Sequence, residues 1–123
     1  MRIDEVREYF LDKPGVVEEM PFNIPVPVFK LEGKIFALIN CHQPDRASIN
    51  LKYYKEVIES LREAYEEVKP GYHMNKSHWN TVYLDGKLED RFIKDLIDIS
   101  YELVFKTLTA KKQKEIRSIG ITK

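Results

Sequence analysis

Five consecutive apolar residues, 35–39, constrain the fold of this chain more narrowly than any other segment. They follow residues 26–31 and the turn Glu32-Gly33-Lys34, and the three segments together predict a β-hairpin, with Gly33 available for a positive φ angle. A strand that is apolar at every position is typical of a central strand whose faces are both wholly or partly covered. The chain is therefore expected to build a sheet around residues 35–39.

Two further strands are indicated by alternation of apolar and polar residues. Over residues 47–52 the alternation gives one apolar face and one polar face, which carries Asn50 and Lys52. Residues 79–84 alternate in the same way after a turn near Asn75-Lys76-Ser77, with a loop or short strand before it, which closes a second hairpin.

Helical periodicity predicts three helices around these strands. The first occupies the start of the chain and ends at Pro14-Gly15, the second spans about residues 54–68, and the third spans about residues 88–108. Runs of strands between helices favour an α+β fold, a two-layer sandwich in which helices pack on one face of an antiparallel sheet. One domain over residues 1–123 is expected, since this length is that of one ordinary domain.

The end of the chain is basic. Beyond Leu103 a single acid, Glu115, stands against six basic residues: Lys106, Lys111, Lys112, Lys114, Arg117 and Lys123. Residues 109–123 are interpreted as a basic C-terminal tail, which at a chain end is usually a solvated segment.

Composition excludes several classes of protein. Apolar residues are 43% and charged residues 33% of the chain, as in globular proteins, and no apolar run approaches the roughly 20 residues that cross a bilayer. The start lacks the layout of a secretory signal, and the lone Cys41 agrees with a reducing compartment, so we expect a cytoplasmic monomer without a membrane partner. Lys plus Arg equals Asp plus Glu at 20 each, which argues against a generally polyanion-attracting surface.

No residue pattern specifies a reaction. Cys41 and His42 are neighbours, so on a strand their side chains point to opposite faces and do not form a thiol and its base. The spacing of His42, His73 and His78 fits no common metal site, and the glycines are isolated turn residues rather than a phosphate-binding loop. We expect no catalytic residue, no metal and no cofactor.

The second hairpin concentrates hydrogen-bonding and stacking groups. They are Tyr72, His73, Asn75, Lys76, Ser77, His78, Trp79 and Asn80. Lysine, serine and asparagine groups contact phosphates and base edges, and aromatic rings stack on bases. Equally, aromatic residues pack into cores and amides satisfy turn backbone, so these residues alone leave both interpretations open.

The same hairpin carries a family resemblance that extends over nearly the whole chain. The matching pieces, in order, are Pro21-Phe22, Val28-Phe29-Lys30, Gly33-Lys34, Phe36-Ala37-Leu38, Asn50-Leu51-Lys52, Pro70-Gly71-Tyr72-His73-Met74-Asn75-Lys76, His78-Trp79-Asn80-Thr81-Val82 and Ser100-Tyr101-Glu102-Leu103-Val104. They resemble the MmcQ/YjbR family of small bacterial proteins. This resemblance implies a CyaY-like (frataxin-like) fold with helices on one face of a twisted antiparallel sheet, and a DNA-binding function that uses two hairpins as wings.

Carried onto this sequence, the resemblance places the wings at residues 32–34 and 75–77, with the polar face of the third strand between them. In this interpretation lysines hold phosphates, amides and imidazoles form hydrogen bonds, and aromatic rings stack. The expected DNA-binding residues are Lys34, Asn50, Lys52, Tyr72, His73, Asn75, Lys76, Ser77, His78, Trp79 and Asn80.

Two alternative functions and one structural hypothesis accompany this interpretation. A protein or small-molecule module is possible if Trp79 and Tyr72 line a pocket. The frataxin-like resemblance also raises iron binding by acids of the first helix, namely Asp4, Glu5, Glu8 and Asp12. A cis peptide bond between Lys69 and Pro70 would set the angle of the second wing.

Overall fold

The computed structural model describes residues 1–20 and 26–122, with side chains as far as Ile119. Its four helices are α1 (Ile3–Asp12), α2 (Ile58–Ala64), α3 (Asp90–Phe105) and α4 (Ala110–Thr122). Its six strands are β1 (Val16–Glu19), β2 (Val28–Leu31), β3 (Lys34–Ile39), β4 (Ser48–Lys52), β5 (Val68–Pro70) and β6 (Trp79–Tyr83). These strands form one antiparallel sheet in the order β1-β2-β3-β4-β6-β5.

The sheet has a helix face and an outer face. Ile49 and Leu51 of β4 point to the helix face and join one core with side chains of α1 and α3, among them Val6, Phe10 and Ile93. Each of these residues is almost completely buried, which stabilises the fold by the removal of apolar surface from water. The predicted α+β sandwich with helices on one face is confirmed.

The first hairpin is also confirmed. Glu32 and Gly33 both have positive φ angles, 50° and 78°, as a two-residue type I′ turn requires. The strand that follows, β3, lies third in the sheet and is buried from Phe36 to Ile39, because strands pair along both of its edges and helices cover its core side.

Two predicted boundaries in the middle of the chain are wrong. The second helix is only seven residues long, Ile58–Ala64, rather than the predicted 54–68. At its start the Tyr53 amide donates to the carbonyl of His78, and at its end Val68 pairs with Val82 of β6. Pairing with a distant strand therefore takes residues from the end of this helical pattern, whereas at its start residues 55–57 form a turn in which the Val57 amide donates to the carbonyl of Tyr54. The strand β1, opposite β2, was not predicted at all.

The C-terminal segment is helical and docked rather than a solvated tail. In α4, Ile116 is 3% exposed and packs near Gly15, which precedes β1. The side-chain amide of Gln113 donates to the carbonyls of Phe105 and Leu108 at the end of α3. One apolar side chain and one amide therefore fix this helix against the body of the protein.

Both hairpin turns lie at one end of the sheet, which we call the hairpin end. Ala37 of β3 is opposite Leu51 of the antiparallel β4, so the turn before β3 lies at the end where β4 finishes. Trp79 is opposite Lys52, so the loop of residues 71–78 lies there too.

Three remaining points complete the fold. The described residues contain no cis peptide bond, so the hypothesis of a cis bond at Lys69–Pro70 is wrong. The matching piece Pro21-Phe22 lies outside the described residues. Among the described helices, none combines the length and the apolar character that crossing a bilayer requires.

Candidate functional site

The polar face of β4 is buried, contrary to expectation. Asn50 is 0% exposed, and its side-chain oxygen accepts hydrogen bonds from the Thr81 hydroxyl at 2.7 Å and from the Asn40 amide at 2.8 Å. Ser48, equally buried, accepts a second bond from the same Asn40 amide group. The face expected to lie open between the wings is instead a hydrogen-bonded layer, so Asn50 presents no group to a ligand.

The covering over Asn50 is the second hairpin loop itself. The Asn50 amide donates to the carbonyl of Tyr72 at 3.1 Å, and the backbone N–H of Tyr72 donates to the Thr81 hydroxyl at 2.9 Å. The loop of residues 71–78 therefore folds back across the outer face of the sheet. His73, next in the chain, has a φ angle of 57°, a left-handed conformation that is uncommon outside glycine. The buried side chains of Asn50 and Thr81 thus hold the loop at one residue, Tyr72, through its carbonyl and its N–H.

Asn80 lies on the opposite, helix face and is also engaged. It is 2% exposed, and its side-chain oxygen accepts a hydrogen bond from Nε of Arg62 at 2.7 Å. The same guanidinium donates to the carbonyls of Lys76 and Trp79. Arg62 therefore fastens α2 to the start of β6. The expectation that Asn80 makes contacts outside the protein is wrong, because its acceptor is buried and already bonded.

Arg62 was missed from the sequence. It stands among the charged residues on the polar side of the α2 pattern, where a solvated side chain is the ordinary expectation. No local signal distinguishes it, because its partners are 14 to 18 residues away.

Trp79 is a packing residue. It is 7% exposed, and the Lys52 ammonium lies 5.7 Å from its ring centre on the outer face. Its expected stacking on bases is wrong for this conformation, since its ring has almost no free surface. Lys52 itself is only partly buried, which leaves its ammonium at the hairpin end.

The tip of the second hairpin is exposed, although part of its polar chemistry is used internally. The Asn75 side-chain oxygen accepts the backbone N–H of Ser77 at 2.9 Å, and the Lys76 ammonium donates to the carbonyl of Gly71 at 3.1 Å. Asn75, Lys76, Ser77 and His78 are all exposed. An ammonium has three donors, so one internal bond leaves Lys76 able to contact an anion.

The first hairpin contributes Lys34, whose ammonium donates to the hydroxyl of Thr107 at 2.8 Å just after α3. Between the hairpins, the connection from β4 to α2 adds Lys55, which is exposed and which the sequence did not single out. The hairpin end therefore holds four lysines from three separate segments: Lys34, Lys52, Lys55 and Lys76.

Tyr72 forms an aromatic group with the two neighbouring histidines. Its ring stacks on His42 with centres 3.7 Å apart and an angle of 14°, and His73 meets it edge-on at 4.2 Å. Tyr72 is 43% exposed, so this group faces solvent. It lines no cleft with Trp79, whose ring is buried, and the expected Trp79–Tyr72 pocket is wrong in that form.

The described residues form clefts on the helix side instead. One, of about 550 Å³, is bordered by Glu5, Glu8 and Asp12 of α1. Asp4 points elsewhere, to Arg2. Among the described residues no three His, Cys, Asp or Glu side chains are grouped closely enough to hold one metal ion. The acids of α1 therefore do not form the constellation that the iron alternative needs.

The second cleft, of about 450 Å³, lies between α1, α3 and α4 and includes Lys13, Asp98 and Tyr101. Burial raises the pKa of Tyr101 to about 12. Tyr9 beside it also has a pKa raised to about 12, first by burial and then by its hydrogen bond to the carboxylate of Asp98. Both phenols therefore stay protonated near neutral pH and act as structural donors.

Comparison with known proteins decides the family. A family model described as YjbR matches residues 11–103, which is most of the chain. The chain belongs to the YjbR family. It is 36% identical over 114 residues to the "Uncharacterized protein YjbR" of Escherichia coli K12, covering 93% of this chain and 96% of that one. It is also 36% identical over 107 residues to the "Uncharacterized protein YbdF" of Escherichia coli O157:H7, covering 87% of each.

Solved structures agree with the YjbR assignment. A Deinococcus radiodurans crystal structure of the DUF419 domain has a TM-score of 0.83 at 34% identity, covering 93% of this chain and 86% of that one. A Pseudomonas syringae crystal structure has a TM-score of 0.75 at 30% identity, covering 84% and 98%. The YjbR match includes the Asn50 layer and the loop of residues 71–78, whereas α4 lies beyond its end.

Proposed function

We propose that this YjbR protein binds DNA through the hairpin end of its sheet. The contact surface consists of residues 32–34, 52–57 and 74–78, which three different connections bring together, whereas Tyr72 lies further back on the outer face, against His42. This location differs from the outer sheet face that the sequence suggested, because the loop of residues 71–78 covers that face. The proposal involves no catalytic step.

The proposal rests on the distribution of charge: although the net charge is zero, basic and acidic side chains are concentrated at opposite ends of the sheet. The opposite end of the sheet consists of residues 1–5, 40–47, 65–67 and 85–91, and it contains eight acidic and four basic side chains. The three segments of the hairpin end contain four lysines and only two acids, Glu32 and Glu56. A polyanion approaching this protein is therefore attracted to one end and repelled by the other.

The chemistry of the hairpin end suits a phosphate backbone. Lys55 is exposed, and Lys76 and Lys34 each donate one hydrogen bond within the protein, which leaves further ammonium donors available. His78 and Ser77 at the tip add further donors of the kind that contact phosphate oxygens. Such contacts position a protein on DNA without reading its sequence, so we expect binding with little sequence preference.

The decisive experiment is titration of a duplex at several salt concentrations. Each lysine that neutralises a phosphate adds about 0.9 to the slope of log affinity against log salt, so Lys55→Ala/Lys76→Ala should lower that slope by about 1.8. The matched control is Lys87→Ala, an exposed lysine at the opposite end, which should change nothing. Absence of duplex binding at low salt, or an unchanged slope in the double variant, would refute the proposal.

A second candidate function is supported by the exposed aromatic group of Tyr72, His42 and His73. The side chains of Asn50 and Thr81 hold the backbone of Tyr72 in place. Aromatic rings fixed in this way can stack on a planar small molecule or on an aromatic side chain of another protein. This candidate needs no basic surface. If Tyr72→Ala removes binding of a ligand while Lys55→Ala/Lys76→Ala does not, the ligand-binding function is favoured over DNA.

A further inference from the structure

The C-terminal helix α4 is held at the hairpin end. The Lys112 ammonium lies 3.7 Å from a carboxylate oxygen of Glu32 in the first hairpin turn. Four residues further on, Ile116 packs beside Gly15, where the chain enters β1. Val16 is opposite Leu31, so this entry also lies at the hairpin end. The helix therefore runs along the end of the sheet, from the β2–β3 turn towards β1.

This docking leaves a basic surface turned outward. Residues 106–117 contain five basic side chains and one acid, Glu115. Lys112 is engaged with Glu32 and Glu115, and Arg117 lies over the ring of Phe105 at 5.1 Å. Lys111 and Lys114 are exposed, and within the described residues neither has an acidic partner within ion-pair distance. They point away from the core because Ile116 on the other side of the helix is buried.

Helix stability does not explain the two lysines at the start of α4. Lys111 and Lys112 occupy the first turn of α4, which contains no acid. A cation there opposes the helix dipole, whereas the same residue in the last turn would be favourable. The positive charge of these lysines therefore disfavours the isolated helix, but it adds to the positive electrostatic potential of the hairpin end.

We propose that α4 is a second DNA contact, in which Lys111 and Lys114 bind phosphates beside those held by the hairpin end. The helix lies beyond residues 11–103, which the YjbR family model matches. Six strands at about 4.8 Å spacing make this end roughly 24 Å wide, which corresponds to about seven base pairs of duplex. The resulting surface extends from the loop of residues 71–78 through the first turn to α4.

Because this inference rests on the DNA binding proposed above, its test compares two pairs of lysines. Lys111→Ala/Lys114→Ala should lower the salt slope of duplex binding by about 1.8, in addition to the loss from Lys55→Ala/Lys76→Ala, since the sites are separate. The control Lys87→Ala/Arg91→Ala removes the same charge at the opposite end and should leave the slope unchanged. Circular dichroism verifies that α4 persists, as alanine favours helix.

The outcomes separate the two proposals. If the wild-type protein binds duplex and Lys55→Ala/Lys76→Ala lowers the slope, while Lys111→Ala/Lys114→Ala behaves like the control, the role of α4 is wrong and the hairpin-end function stands. If only the α4 variant lowers the slope, DNA binding belongs to α4 and the proposed hairpin-end function is wrong. If the wild-type protein does not bind duplex at low salt, both are wrong.

Discussion

The side-chain amide of Asn50 donates a hydrogen bond to the backbone carbonyl of Tyr72 across the outer face of the sheet, at 3.1 Å. Through this contact a fully buried residue of β4 fixes an exposed loop 22 residues away. The neighbouring Thr81 hydroxyl bonds both the Asn50 side chain and the Tyr72 amide, so the three residues form a closed unit. The position of the second hairpin loop depends on this unit.

Replacing Asn50 by alanine should destabilise the protein by about 1 to 3 kcal/mol, because the carbonyl of Tyr72 and the Asn40 amide each lose a buried partner. Urea denaturation measures this difference. Asn75→Ala is the matched control, since Asn75 is exposed and bonds only within its own turn, and it should cost less than about 1 kcal/mol. Equal losses from the two variants would contradict a structural role for the buried layer.

Removal of the Arg62 guanidinium should have a comparable effect from the other face. Arg62→Ala leaves the buried oxygen of Asn80 and two carbonyls without their donor, and we expect a loss of about 2 to 3 kcal/mol in the free energy of unfolding. Arg62→Lys keeps the charge but not the fork of donors, so it should recover only part of the loss. Full recovery by lysine would show that charge alone is needed.

Two glycines should respond differently to alanine. A Cβ at Gly71 would lie 2.8 Å from the Trp79 Cβ and 2.9 Å from its carbonyl oxygen, so the loop must shift. A Cβ at Gly33 meets no atom within 4 Å, and its φ angle of 78° carries only the strain of that conformation. We expect Gly71→Ala to speed hydrogen exchange at the Tyr72 amide, whereas Gly33→Ala leaves that amide protected.

Alkaline pH should destabilise the protein through Tyr9 and Tyr101. Both have a folded pKa of about 12, above the ordinary tyrosine pKa of 10.0, because burial disfavours the charged phenolate. Their contribution to stability is therefore present below pH 10 and is lost as the pH rises towards 12, because the unfolded chain releases these protons first. Tyr9→Phe/Tyr101→Phe should flatten the fall of stability over this range, as measured by denaturation at successive pH values. A slope unchanged from wild type would contradict the raised pKa values.

The parts of the fold that could be predicted are those whose signal is local. The apolar run of β3, the glycine of the first turn and the wide apolar stripe of α3 each identify an element within a few residues, and all three are present. The C-terminal end of α2 and the strand β1 could not be placed in this way, because pairing with distant strands decided them.

The candidate site was predicted in composition but not in orientation. Lys76, Ser77 and His78 are exposed at the hairpin tip as expected, whereas Asn50, Trp79 and Asn80 are buried. A polar residue on an alternating strand can face either water or a loop that covers the sheet. The alternation of apolar and polar residues does not show which of the two environments is present. No sequence pattern singled out Lys55 from the other surface lysines. Similarly, no pattern distinguished Arg62, which bonds Asn80 and two backbone carbonyls, from an arginine that is only solvated.

The sequence by itself determined the family, the order of the principal strands and helices, and the hydrophobic core, since periodicity and motif are properties of neighbouring residues. Tertiary structure alone decided that the second hairpin loop folds over the outer sheet face, that α4 docks, and that opposite charges collect at opposite ends of a neutral protein. These features depend on contacts between residues far apart in the chain, where the closing of long loops and the burial of polar groups determine which partner a side chain finds.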